Sequence, residues 1–101
     1  MSLIIEQATI AKASFIPGRT SHRNRLELVI ESFEDDFEII ACGQQTINSL
    51  LRVFNEQLSI DNLVGERARI EIDCCKNFKK ISRIISFIGN NCVYVIDGEV
   101  V

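Results

Sequence analysis

One stretch of this chain, residues 46–58, TINSLLRVFNEQL, sets its apolar residues at helical spacing. Ile47, Leu50, Leu51, Phe54 and Leu58 fall on one face, and Thr46 is placed to cap the helix start through its hydroxyl. Almost everything on either side repeats every two residues instead, as strands do. One helix set into a run of strands leaves few architectures open.

Residues 3–15, LIIEQATIAKASF, read as a long first strand. The loop IPGRTSHRN follows, punctuated by Pro17-Gly18. In RLELVIESF, residues 25–33, Leu26, Leu28 and Ile30 face one way while Glu27 and Glu31 face the other. The acidic turn EDD leads to FEIIAC, so strands two and three form a hairpin. After the helix, SIDNLVG turns the chain into RARIEIDCC, residues 67–75. Ala68, Ile70, Ile72 and Cys74 point to the core there, and Arg69, Glu71, Asp73 and Cys75 point away. KNFKK is a turn, KISRIISFI a fifth strand, GNN another turn and CVYVI a short sixth strand. The fold class expected is α+β: an OB-like five- to six-stranded antiparallel barrel, or a strongly bent sheet, with one helix between strands 3 and 4.

A chain of 101 residues is one domain, 1–101. At that size a core forms without metals or disulfides. No apolar run reaches the roughly 20 residues of a membrane helix. The start MSLIIEQATIAK has neither the basic nor the long apolar region of a signal peptide, which makes a cytoplasmic location the expectation. Cys42, Cys74, Cys75 and Cys92 are then reduced thiols. They show no C-x-x-C spacing, and the lone His22 is remote from them, so no metal site is expected. Neighbouring strand residues face opposite sides, which keeps Cys74 and Cys75 from chelating together. The phosphate-loop, zinc-protease and serine-hydrolase motifs do not occur. The expectation is a non-enzymatic binding module without cofactors.

Charge placement offers two partners. Six of the eleven Lys and Arg residues fall in two loops, between strands one and two and between strands four and five. Arg19, His22, Arg23 and Arg25 belong to the first; Lys76, Phe78, Lys79 and Lys80 belong to the second. In an OB-like barrel these loops flank the ligand face. Cations meet phosphates there, and Phe78 stacks on a base, so the first expectation is binding of single-stranded nucleic acid or a nucleotide. The acidic run Glu31, Glu34, Asp35, Asp36 and Glu38 lies on the second-to-third-strand hairpin and argues for the alternative, a protein partner met through that hairpin or a free sheet edge. A net charge of −3 argues against non-specific DNA binding. The apolar terminal CVYVI is a candidate strand for a neighbouring copy in a homo-oligomer.

The helix INSLLRVF followed by LVGERARIEID, opening a strand that pairs with an isoleucine-rich one, is loosely similar to small phage and prophage proteins of unknown function. The resemblance covers about half the chain. Those proteins tend to close with a Trp-containing tail, whereas this chain closes CVYVIDGEVV. The resemblance implies a mobile-element origin. Inhibitors of host defence, anti-CRISPR proteins among them, belong to that class and act by occupying a partner's surface.

Overall fold

The alternating segments pair into one antiparallel sheet that curls into a half-barrel, with a single helix between strands 3 and 4 in sequence. The computed structural model describes residues 2–54, 60–74, 79–87 and 93–95. Its strands are β1 (Ser2–Ile16), β2 (Arg25–Glu31), β3 (Asp36–Cys42), β4 (Arg67–Cys74), β5 (Lys79–Ser86) and β6 (Val93–Val95), and its helix is α1 (Gln44–Phe54). The order across the sheet is β3-β2-β1-β4-β5-β6.

The length of β1 organises the sheet. Residues 2–9 pair with β4, and residues 9–16 pair with β2. The register with β2 slips between Ile10 and Lys12, so a bulge sits at Ala11. Ala8 and Ile10 are buried before it, and Ala13 packs on the core after it. One extra residue has moved the inward positions from even to odd numbers and bent the strand. A second slip, between Glu71 and Ile72 of β4, leaves Ser82 of β5 without a partner across the pair.

Curvature brings distant strands of the half-barrel toward each other. Lys79 opens β5 and Asp35 lies in the β2–β3 turn, three to four strands apart in the order. A flat sheet would set them about 14–19 Å apart. That is the separation of their backbones; their side chains span the gap, with the charged groups 3.0 Å from each other, which requires the backbones to lie nearer than in a flat sheet. The space enclosed holds Leu26, Leu28, Ile30, Ile70, Ile72 and Ile84, each 3 % exposed or less. Burying such a side chain contributes about 1.5–3 kcal/mol.

The helix covers this core with Ile47, Leu50 and Val53, all buried, while Leu51 and Phe54 are only partly covered. The expected face is thus rotated: Val53 replaces Leu51 at its centre, and Leu58 lies outside the described residues. The helix also begins two residues before the expected cap at Thr46. Gly43, with φ +91°, turns the chain out of β3, and its carbonyl accepts the Ile47 N–H at 3.0 Å. The left-handed conformation that this turn requires is one glycine adopts without strain.

Candidate interaction surface

The first basic loop is a built structure. A short 3-10 turn, Ser21–Arg23, lies within it. Asn24 accepts the Gly18 N–H on its side-chain oxygen at 2.9 Å and donates from Nδ2 to Gln44 at 2.8 Å. Gln44 passes the chain of bonds to Asn48 at 2.9 Å. The Gly43 N–H donates to the Asn24 carbonyl at 2.7 Å. Gly18 presses so close to Arg23 that a Cβ there would lie 2.5 Å from backbone atoms. Arg19, His22 and Arg23 therefore stand exposed on a loop tied to the start of α1. Arg25 opens β2 and pairs with Glu27 at 2.6 Å.

The second basic group stands elsewhere. Lys79 and Lys80 open β5, while Lys76 and Phe78 lie outside the described residues. Lys79 reaches Asp35 at 3.0 Å and Glu34 at 3.6 Å. Its hydrogen bond to Asp35, reinforced by that carboxylate's charge, holds the ammonium above the ordinary lysine range. Lys80 is half-buried opposite Asp73. The β2–β3 turn and the first loop mark the two ends of β2, six residue steps or about 20 Å apart. Among the described residues Lys79 thus stands at the opposite end of β2 from Arg25, and it is already paired with acid.

Acid occupies the ground between them. Leu26, Leu28 and Ile30 turn inward, so Arg25, Glu27, Val29 and Glu31 form the outer face of β2. Asp36, Glu38, Ile40 and Cys42 form that of β3. Across the pair Glu27 faces Ile40, Val29 faces Glu38, and Glu31 faces Asp36. Glu31, Asp36 and Glu38 are exposed and make no ion pair among the described residues. Like charges directly opposed across a strand pair destabilise it. Ser32 closes the turn: its N–H donates to the Asp35 carbonyl at 2.8 Å, and its hydroxyl accepts the Asp35 N–H at 3.2 Å. This leaves Phe33 at the tip, 89 % exposed. Phe33 and Ile40 add apolar area to the acidic face. Neither was singled out in the sequence, where both read as ordinary strand residues.

The outer face of β4–β5 contrasts with it. Glu71 and Asp73, expected to point away from the core, are only 9 % exposed on the outer face. Glu71 accepts from the Ser82 hydroxyl at 2.7 Å and from Arg83 Nε at 3.2 Å. The Arg83 bond, then the Ser82 bond, holds the Glu71 carboxyl below the ordinary range. Asp73 Oδ1 is buried without a hydrogen-bond donor among the described residues.

Among the described residues no cluster of His, Cys, Asp and Glu could hold a metal, and no helix is long and apolar enough to cross a membrane. Cys42 is exposed and Cys74 half-buried, both as free thiols; Cys75 and Cys92 lie outside the described residues. Comparison with protein-family models, curated proteins and solved structures finds no match.

Proposed function

We propose that the protein is a non-enzymatic binding module on an OB-like barrel, and that it meets a basic partner protein through the outer face of the β2–β3 hairpin. The barrel reading rests on β1 being shared by both halves of the sheet and on the Lys79–Asp35 contact, which brings the starts of β3 and β5 together. In such a barrel the β2–β3 face is the usual ligand surface. The observation that carries the functional reading is the Glu31–Asp36 opposition, with Glu38 beside it and no cation on any of the three among the described residues. A face of that charge repels phosphate and attracts Lys and Arg. Phe33 and Ile40 supply the desolvated contacts that charge alone does not. Such a face also mimics the charge of a nucleic acid, which suits a small phage-type inhibitor that occupies a host protein's basic groove.

The test uses the wild-type chain and a Glu31→Gln/Asp36→Asn/Glu38→Gln variant as baits in a host lysate. A basic protein retained by the wild type, released by salt and lost with the variant supports the reading. Equal retention by both overturns it.

A second reading, binding of single-stranded nucleic acid, is favoured by the exposed Arg19, His22 and Arg23 on their tied loop. Its measure is a salt titration with single-stranded DNA and RNA, wild type beside Arg23→Ala/Lys79→Ala. Steeply salt-dependent binding that flattens in the variant supports it, and no binding at low salt removes it.

A further inference from the structure

A cleft of about 340 Å³ lies at the far end of α1 from the basic loop, lined by Phe54, Gly65, Glu66, Arg67, Ser86 and Phe87. Three separate parts of the chain meet there: the last residue of α1, the turn into β4 and the end of β5. The turn is fixed to β1. Gly65 N–H donates to the Ile10 carbonyl, and the Glu66 carbonyl accepts the Ile10 N–H, each at 2.9 Å. Gly65 has φ +95°, and a Cβ there would meet no atom within 4 Å, so this wall of the cleft is open.

The side chains on this frame have complementary chemistry. The Arg67 guanidinium carbon lies 4.6 Å from the centre of the Phe87 ring. Stacking orients the guanidinium without using its N–H groups. Arg67 lines the cleft, and no carboxylate pairs with it among the described residues. Glu66, its neighbour, brings two acceptor oxygens, also without an ion pair among the described residues. Phe54 and Phe87 bring aromatic surface on which a flat ligand can stack.

We propose that this cleft binds a guanine base. Around its Watson–Crick and Hoogsteen edges guanine presents in turn two donors, N2–H and N1–H, and then two acceptors, O6 and N7. Adjacent Glu and Arg side chains present the complement, two acceptors and then a fork of donors. The Arg fork on O6 and N7 is the commonest specific contact to this base. Adenine and cytosine lack the doubled donor edge, and uracil lacks the amine. This inference goes beyond the docking face and does not rest on it: no residue is shared, and the hairpin variant above leaves it unchanged.

The test is a titration of the full chain with GMP, AMP, CMP, UMP and IMP, followed by amide NMR. GMP is expected to bind at least tenfold more tightly than AMP, CMP or UMP, with shifts centred on residues 65–67 and 86–87. IMP, which lacks the N2 amine, is expected to bind several-fold more weakly than GMP, and Glu66→Gln to erase that difference. Arg67→Lys, which keeps the charge and loses the fork, is expected to weaken GMP about tenfold. Shifts common to all five nucleotides, or none with GMP at millimolar concentration, overturn the proposal. A thymidine oligonucleotide carrying one guanine separates the sources. Tighter binding than GMP identifies a base within a strand, and equal binding identifies a free nucleotide.

Discussion

The hairpins β2–β3 and β4–β5 have the same local pattern, inward aliphatic residues alternating with outward acids, yet they treat those acids in opposite ways. On β4 Glu71 is covered and bonded by Ser82 and Arg83. On β2 and β3, Glu31, Asp36 and Glu38 stand in solvent, and two of them face each other. A covered carboxylate with its donors in place is part of what holds the fold. An exposed group of carboxylates without partners adds nothing to the fold, and like charges directly opposed oppose it. Alternation says which side of the sheet a residue is on. It does not say whether that side is wet.

The core beneath both hairpins is where the two regions should agree. Leu28 under β2–β3 and Ile70 under β4–β5 are each 0 % exposed. Leu28→Ala and Ile70→Ala should each lower the unfolding free energy by about 2–5 kcal/mol, read from urea denaturation. A loss from only one of them would mean that the hairpins do not unfold as a unit.

The next effect separates the regions. Glu71→Ala leaves Ser82 and Arg83 facing a missing acceptor and should lower the melting temperature clearly, while Glu38→Ala should leave it almost unmoved. Acid should reproduce the contrast. The folded state holds the Glu71 carboxyl below its ordinary range, mainly through Arg83. The stabilisation is therefore complete above the ordinary glutamate range and is lost as pH falls through the lowered folded value. Wild type should lose stability over that acidic window more steeply than Glu71→Gln. Parallel curves would show that the Glu71–Arg83 pair contributes nothing.

How much of this was legible in the sequence follows from the range of each interaction. Leu26, Leu28 and Ile30 declared β2 because their alternation is unbroken, and Ala68, Ile70 and Ile72 did so for β4. In β1 the run of mixed small and apolar residues hid the bulge at Ala11, since both parities look plausible there. The helix start was missed because Gly43 lies outside the helical period and acts only through its backbone conformation. The acids of the candidate face could be named because they lie within eight residues of one another. The cleft could not: Phe54, Arg67 and Phe87 come from three separate parts of the chain and share no pattern. The cover over Glu71 could not either, because Arg83 reaches it through pairing between strands.

The hairpin face should respond in function and hardly in stability. Glu31→Gln/Asp36→Asn/Glu38→Gln removes the opposed charges while keeping the shapes, so stability should stay level or rise by less than about 1 kcal/mol. Retention of a basic partner should be lost. A fall in stability comparable to that of Glu71→Ala would make the two faces alike and return these carboxylates to the fold.

The smallest effect is expected at Lys79, where the turn acids Glu34 and Asp35 do take part in the fold. Lys79 joins Asp35 and Glu34 across the curl of the sheet, but its side chain is 42 % exposed, and salt screens such a pair. Asp35 raises the ammonium above the ordinary lysine range. The folded state thus holds this proton more tightly than the unfolded chain does. The stabilisation is complete below the ordinary lysine range and disappears as pH rises through the raised folded value. Lys79→Met should therefore be slightly less stable than wild type at neutral pH and low salt, and equal to it either in strong alkali or near 1 M salt. The Glu71 variant should keep more of its deficit in salt, because the Glu71 side chain is 11 % exposed against 39 % for Asp35, although the two cations are exposed alike. If salt erased both deficits equally, burial would not be what distinguishes the two hairpins, and the outward acids of β4 would belong with those of β2 and β3.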